Sequence, residues 1–496
     1  MFFADEMVLS LWYNTLAMCK SYNNVKSRYD RLLFSVCGLA GLLYGIDMGL
    51  IAAALPYIKA TCGFTEAQLS GIVAAVMLGC IPGTMCAAWV AEKAGRLASL
   101  KATALVFAAA VPVICFSGGN FWIMFAGRLL QGAGCGFMGI AAALYVVECA
   151  SSENRGRGTG MLQLVLTIGL VVAALIGLGA TMFFGDAASD AVSVDAKRHA
   201  WQSIFWVSII PTFVLFAGLF RLRESPRWLF KRGRREEALA SLMMNHDEDA
   251  AHRTIEELES NERSQMVRTS GGEVKRDSIF QRKYLAPLAL AILIPVFNQA
   301  SGVNSLLNYS VVLMQRAGLA GTDANWADTA IKLANFLFTC VAMALVDRKG
   351  RKFLLTIGTS GVTLGLLAVG GLFWAVEQGA LASGPAAGWA IVGAFVLFIS
   401  SFAIGPGVCV WLAMTELMPL RVRAGGMMVA QFVAMGASYA LAQTFLPWSA
   451  KYGDSSVFLT LAGVAVGYFV TVAFFLPETK GKSLEEIERH FAGKGR

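Results

Sequence analysis

Along most of this chain, apolar residues run unbroken for longer than a soluble core strand or a one-sided surface helix requires. Twelve such stretches stand out, at approximately 32–57, 66–91, 99–118, 121–149, 157–183, 201–221, 284–314, 326–346, 353–376, 387–418, 424–447 and 456–476. Each can carry a helix across a hydrocarbon core about 30 Å thick, given a rise of about 1.5 Å per residue. The pattern breaks once. From Arg221 to Lys283 the chain is polar and rich in Arg, Glu and Lys, and there EEALASLM and AHRTIEELESNER read as short amphipathic helices. The pattern predicts an all-α membrane protein of twelve transmembrane helices. Its expected parts are an N-terminal extension (1–30), a six-helix bundle (31–221), a helical linker (222–283), a second six-helix bundle (284–477) and a tail (478–496).

Composition agrees with that picture. Charged residues make up 15% of the chain against 56% hydrophobic, too little charge to cover a soluble protein of 496 residues. The net charge of +8 does not point to nucleic acid, because the positive residues gather in a few inter-helix loops. Loops after spans 2, 4, 8 and 10 carry Lys93, Arg96 and Lys101; Arg155 and Arg157; Arg348, Lys349, Arg351 and Lys352; and Arg421 and Arg423. The alternate loops are poorer, with Lys59, Lys197, Arg198, Arg316 and Lys451. The positive-inside rule then predicts a multi-pass protein of the cell (plasma or inner) membrane with both termini cytoplasmic. Most of the ten cysteines lie in apolar segments with no CxxC spacing and read as packing residues. All four histidines lie outside the apolar runs, which excludes a histidine proton relay within the membrane. No metal, cofactor or enzymatic nucleophile–base pair is expected. The opening MFFADEMVLSLWYNTLAMCK has early acids and no basic region, a poor signal peptide. It reads as a surface-lying or disordered extension, and a misplaced start codon also accounts for it.

The two halves repeat each other. EKAGR (Glu92–Arg96) follows span 2 and DRKGR (Asp347–Arg351) follows span 8. Span 4 ends in Glu148 with Arg155 beyond it, and span 10 ends in Glu416 with Arg423 beyond it. RESPRWL closes span 6, and LPETKGKSLEE closes span 12. Three signals in one order, offset by about 255 to 270 residues, argue for duplication, and repeat-built transporters hold their sites between such halves near the midplane.

Charges inside spans are costly and point to function. Asp47 lies roughly 20 Å into span 1, and Arg128 roughly 10 Å into span 4 from the other face, which sets them at similar depth. Two lone opposite charges at one depth are expected to be neighbours. Their pairing reads either as proton coupling, in which one conformation favours protonated Asp47, or as a permanent structural bridge. Arg96, Glu148, Arg155, Arg348, Arg351, Glu416 and Arg423 lie at inner helix ends, with Glu224 and Glu478 beside them. These are expected to pair across the bundles and latch an inner gate, the plainer reading being interfacial anchoring. Uncharged polar groups inside spans include Gln163, Asn298, Gln299, Asn304, Asn308, Tyr309, Asn335 and Trp411. Amides suit hydroxyl-bearing ligands because they both donate and accept. A tryptophan face suits the C–H side of a pyranose. A lone intramembrane Asn is usually helix–helix glue, but several on one helix, broken at Gly302, point to a site. An ionic substrate is not expected, since no strong charge is read near the midplane of the C-terminal half.

Together these residues resemble the sugar porter family of the major facilitator superfamily, over nearly the whole chain from about Arg31 to Phe491. The motifs are GIDMG (Gly45–Gly49), EKAGR, GRLLQGAG (Gly127–Gly134), LYVVE…NRG (Leu144–Gly156), RESPRWL, NQASGVN (Asn298–Asn304), DRKGRK, the segment Phe402–Glu416 and PETKG (Pro477–Gly481). The resemblance implies the major facilitator fold and an alternating-access carrier of monosaccharides or polyols, monomeric in the lipid bilayer. It places sugar-contacting amides on Gln163, Gln299, Asn304 and Asn335, the span 10 tryptophan on Trp411, and the acid of proton-coupled members on Asp47 with Arg128 as partner. Departures are Asn298-Gln299 for Gln-Gln, Asn308-Tyr309 for Tyr-Tyr, Ala434 and Met435 for Asn-Trp, Arg223 for Pro, and Glu92, Lys93 and Leu97 in the loop after span 2. The Ala434–Met435 change reshapes the expected sugar pocket, and Leu97 weakens one half of the expected latch. The leading expectation is a proton-coupled monosaccharide importer. The alternatives are a facilitative sugar or polyol uniporter and a sugar receptor that does not transport, the last disfavoured by a tail of about twenty residues after Pro477.

Overall fold

The computed structural model describes residues 25–149, 155–244, 247–270, 285–418 and 423–478. Twelve helices in it are long and apolar enough to cross a membrane: Tyr29–Cys62, Glu66–Lys93, Arg96–Cys115, Phe121–Cys149, Met161–Phe184, Val194–Leu219, Pro287–Arg316, Thr322–Val346, Arg351–Glu377, Pro385–Met414, Gly425–Tyr452 and Asp454–Phe475. They are spans 1 to 12, and they match the twelve expected stretches to within several residues at most ends. Among the described residues every regular element is helical. The expected extension up to residue 24 and the tail from 479 lie outside the described residues.

Three spans are interrupted, span 6 only briefly, at Ser208 between Val194–Val207 and Ile209–Leu219. Span 7 runs as Leu285–Ala300 and Val303–Arg316, and Gly302 between them takes a φ of +85°, a region that side-chain-bearing residues avoid. This is the break the sequence leads one to expect. Span 10 also divides, into Pro385–Ile404 and Pro406–Leu417, because Pro406 brings no N–H and its ring crowds the preceding turn. The linker folds into helices Pro226–Lys231, Arg235–Leu242 and Glu248–Ser270. They share a small core of Trp228, Leu229, Ala238, Leu242, Ala251 and Ile255. Trp228 Nε1 and Arg232 Nη2 both donate to the Glu92 carbonyl, at 2.9 and 3.0 Å, and so fasten this core to the end of span 2.

The packing scheme of the first six spans recurs in the second six. Span 2 packs on span 4, span 4 on span 3 and span 1 on span 5; likewise span 8 packs on span 10, span 10 on span 9 and span 7 on span 11. The halves meet where span 2 touches span 11 and span 5 touches span 8, two contacts that exchange under the same repeat. Spans 1 and 5 cross backbone to backbone. A Cβ on Gly45 would collide with the Leu166 carbonyl and stand 2.9 Å from Gly169 Cα. Lipid tails are as apolar as leucine, so helices in a membrane associate through such close packing rather than through the hydrophobic effect.

The bundle has two unlike ends, a linker end and a far end. Toward the far end one apolar cluster runs through both halves, with Leu50, Ile58 and Leu69 of the first and Leu306, Phe445 and Phe458 of the second. Toward the linker end the core splits. One cluster belongs to the first half apart from Met435, and two others belong to the second half alone. Polar contacts between the halves follow the same division. Gln443 Nε2 donates to the Ala67 carbonyl at 3.3 Å, Leu446 N to Ser70 Oγ at 3.3 Å, and Asn325 Nδ2 to Thr181 Oγ1 at 3.0 Å. Arg316 lies 3.7 Å from Glu66. The far end is closed, and the apolar core is discontinuous at the linker end.

Gly45→Val should therefore destabilise the first half by about 1–3 kcal/mol or more, since the crossing cannot absorb two methyl groups. A lower thermal unfolding midpoint in detergent is the expected result. An unchanged midpoint would mean that the two helices do not cross at this distance.

Candidate functional site

Asp47 sits near the middle of span 1 and is wholly buried, as is Arg128 on span 4. They do not touch directly, contrary to the expectation of an ion pair. Gln131, one turn beyond Arg128, stands between them. Arg128 Nη1 donates to Gln131 Oε1 at 2.7 Å, and Gln131 Nε2 donates to Asp47 Oδ1. Cys135, a further turn along, donates its thiol to Asp47 Oδ2 at 3.5 Å. Residues 128, 131 and 135 share one face of span 4 at helical spacing, so a single helix supplies both hydrogen-bond donors described for the carboxylate. The guanidinium is further held by the Ile72 carbonyl at 3.4 Å and lies 5.8 Å from the Phe205 ring centroid. The physical reason for the relay is economy of polar groups: an amide both donates and accepts, so it satisfies both buried charges at once. Gln131 was legible as the third residue after Arg128 in GRLLQGAG.

The polar residues expected to face a ligand gather only in part. Asn304 Nδ2 donates to Gln299 Oε1 at 2.7 Å across the break in span 7, and to Ser438 Oγ of span 11 at 3.3 Å. Ser438 was not among the expected residues; it lies one turn beyond the Ala434 position. Asn298 turns away from this group, and its Nδ2 reaches the Pro406 carbonyl at the break in span 10, at 3.4 Å. Tyr309 is buried, donates to the Ala442 carbonyl at 2.8 Å and stacks on Phe445. Gln163 on span 5 is part-buried and Asn335 on span 8 is buried, on helices that pack together across the two halves. Trp411 is partly buried and packs against the cluster of Leu288, Ala291, Met414, Met418 and Ala430.

One expectation is overturned outright. The C-terminal half does carry charge inside its spans, Asp328 and Lys332 on span 8, both buried. They stand 2.8 Å apart at i, i+4. Read as lone charges they are easily passed over, because each neutralises the other.

At the linker end, the ion pairs seen among the described residues, Arg96 with Glu148 and Arg351 with Glu416, each lie within one half. Arg96 holds Glu148 through Nε and Nη2, both at 2.9 Å, and its Nη1 donates to the Ala91 carbonyl at 2.7 Å. Glu224 accepts from the backbone N–H groups of Arg96 and Leu97 at 2.9 and 3.1 Å and so caps the first turn of span 3. Ser225 Oγ donates to Glu148. The second half repeats this. Arg351 lies 3.2 Å from Glu416, its N–H donates to Glu478 at 3.2 Å, and its Nη1 reaches the Val346 carbonyl at 3.5 Å. Gly95 and Gly350 precede the two capped helices with φ of +111° and +91°. A Cβ at either would run into the capping carboxylate, of Glu224 or Glu478 respectively. The reason for the difference is geometric: with the halves joined at the far end, each cluster closes on its own helices. Arg348 is exposed, and the side chains of Arg155 and Arg423 lie outside the described residues. Among the described residues no group of three His, Cys, Asp or Glu side chains could hold a metal.

Twelve spans in two repeats, with broken helices and charges caged at mid-depth, define a multi-pass helical membrane protein of the major facilitator fold. The family model described as "Sugar (and other) transporter" matches residues 32–491. The galactose-proton symporter of Escherichia coli K12 is 31% identical over 471 residues, which cover 94% of this chain and 95% of that protein. The arabinose-proton symporter of the same strain is 28% identical and covers 93% of each. In fold, a partially occluded inward-open structure of the xylose transporter XylE from E. coli matches with a TM-score of 0.77 at 22% identity, over 92% of this chain and 100% of that one. The chain belongs to the sugar (and other) transporter family, whose members and relatives here are transporters rather than enzymes.

The capping carboxylates give a direct test of the repeat. Glu224→Ala and Glu478→Ala should each cost about 0.5–2 kcal/mol, the usual loss when a helix loses its cap. The two cap helices of separate halves, so the double variant should lower the thermal midpoint by close to the sum of the singles. A strongly non-additive result would show that the clusters touch.

Proposed function

We propose that this protein is a secondary active transporter that imports a monosaccharide together with a proton by alternating access. The observation that carries the reading is the buried, hydrogen-bonded carboxylate of Asp47 in a chain whose relatives bear the names galactose- and arabinose-proton symporter. The linker end is taken as cytoplasmic because the basic loops gather there. The protein then lies in the cell membrane with both termini inside, as a monomer in the bilayer, and its far end faces the medium. Residues 31–221 and 284–477 act as the two moving bundles, joined by the linker 222–283.

In this reading Asp47 takes a proton from the far side when that end is open. A neutral carboxyl no longer attracts Arg128 through Gln131, and the surround of spans 1 and 4 relaxes toward the arrangement that opens to the cytoplasm. Loss of the proton inside restores the charged chain Asp47–Gln131–Arg128 and favours return. Sugar hydroxyls are met by Gln299 and Asn304, already joined to Ser438, and by Gln163, Asn298 and Asn335, with Trp411 offering an apolar face. The linker-end clusters of Arg96, Glu148 and Glu224, and of Arg351, Glu416 and Glu478, serve as the inner gate together with Arg155, Arg348 and Arg423. Each re-pairs across the cleft when the inner side closes. The driving force is adequate: one proton moving through 100 mV supplies about 2.3 kcal/mol, enough for a gradient of about fifty-fold.

Asp47→Asn in proteoliposomes should abolish accumulation, so that inside and outside sugar equalise, and should abolish the alkalinisation of the medium that follows sugar addition. Counterflow of labelled hexose, pentose or polyol should persist. Undiminished uphill uptake by this variant would sink proton coupling through Asp47 and leave a facilitative carrier.

A further inference from the structure

The buried pair on span 8 has no part in the cycle just described, yet it occupies the seam between the halves. Lys332 Nζ is 2.8 Å from Asp328 Oδ2 and donates at 3.2 Å to the carbonyl of Gly49, on span 1 of the other half. Asp328 Oδ1 accepts from Ser310 Oγ of span 7 at 2.5 Å. Gly49 lies two residues from Asp47. A buried ion pair adds little to stability, since apolar residues of similar volume usually do as well or better. Its presence in the middle of a membrane therefore calls for another account.

The pair is one part of a polar stripe. Asn325, Asp328, Lys332 and Asn335 follow one another at helical spacing along span 8. Asn325 makes the far-end contact with Thr181, Lys332 makes the contact with span 1, and Asn335 is the span 8 residue assigned to sugar. Asp328, Lys332 and Ser310 all belong to the second half and can travel with it as a neutral unit. Of the contacts described for Lys332, the one that must break when span 8 leaves span 1 is that to Gly49.

Building on the transport reading, we propose that Lys332 is a positioning residue. Held by Asp328 and Ser310, it latches span 8 onto the stretch of span 1 that bears Asp47, and so sets how much of the protein rests with its far end closed. The ammonium is fixed within its own half and spends a remaining N–H on the other. Closing the far end forms this bond in a dry seam, and opening it admits water to the whole group.

The test uses the full-length protein in lipid nanodiscs with spin labels on the exposed far-end residues Asp190 and Gln378, one in each half. Lys332→Met alone would strand the Asp328 carboxylate, so the decisive variant is Asp328→Asn with Lys332→Met, which leaves no buried net charge. The ratio of far-end-open to far-end-closed distances should rise about fivefold, the shift expected when one hydrogen bond of ordinary net strength is lost. KM for sugar added from the far side should fall with it, while the thermal midpoint stays near that of the unmodified protein. Unchanged distances in a normally folded double variant, or a shift toward the closed form, would overturn the latch and leave the transport reading standing. Failure of the unmodified protein to move any sugar would overturn that reading instead, and the distances would still decide the latch.

Discussion

The constraint on which this structure turns is that a charge inside a membrane must find its counterpart in the protein, because no water or lipid will serve. Two places meet it in related ways. In the first half, Asp47 and Arg128 are joined through the Gln131 amide, with the Cys135 thiol on the second carboxylate oxygen. In the second, Asp328 and Lys332 touch directly and Ser310 fills the remaining acceptor. The difference bears on what each can do. An amide relay holds two charges in register without bringing them into contact, so the loss of either charge changes the chain by degrees. A direct pair on one helix is self-sufficient and behaves as a polar unit that can be carried about.

The linker end solves another problem with the same repertoire. Each capped helix begins with N–H groups that have no intrahelical acceptor, and a carboxylate from the segment after the sixth span of that half supplies one. The arginine that opens the helix reaches back to a carbonyl five residues earlier and sideways to the glutamate that closes span 4 or span 10. Three chain segments are thereby tied at one point in each half. On the proposed cycle a bundle bound in this way moves as a body, which is what a carrier built of two bodies requires.

The fold was open to reading from hydrophobic run length, because lipid leaves a spanning chain almost no alternative to a helix. The duplication was equally open, since EKAGR and DRKGR mark one junction in both halves. The break at Gly302 could be foreseen from glycine among amides, whereas the break in span 10 followed from Gly405-Pro406 and was overlooked within an otherwise apolar run. The site was less legible for a reason of a different kind. Depth along a helix can be counted from sequence, and this brought Asp47 and Arg128 to one level. Which side chain fills the space between them depends on the rotation of span 4 against span 1. The same limit explains the linker end: residue types showed that Arg96, Glu148, Arg351 and Glu416 form ion pairs, but whether the pairs lie within a half or between halves depends on which end of the bundle is closed.

Gly49 joins these observations. Its helix carries Asp47 toward span 4 on one side and its carbonyl receives Lys332 on another. The segment from Gly45 to Gly49 is also where spans 1 and 5 cross too closely for a side chain. A stretch of helix packed backbone to backbone has little freedom to bend, so a displacement imposed at one of its contacts is passed to the others rather than absorbed. On the proposed cycle, a change in the charge of Asp47 shifts the balance of forces on this rigid stretch, and the far-end seam at Lys332 lies within one helical turn of it. The glycines that permit close packing are then what allow a protonation event in one half to be felt at the contact with the other.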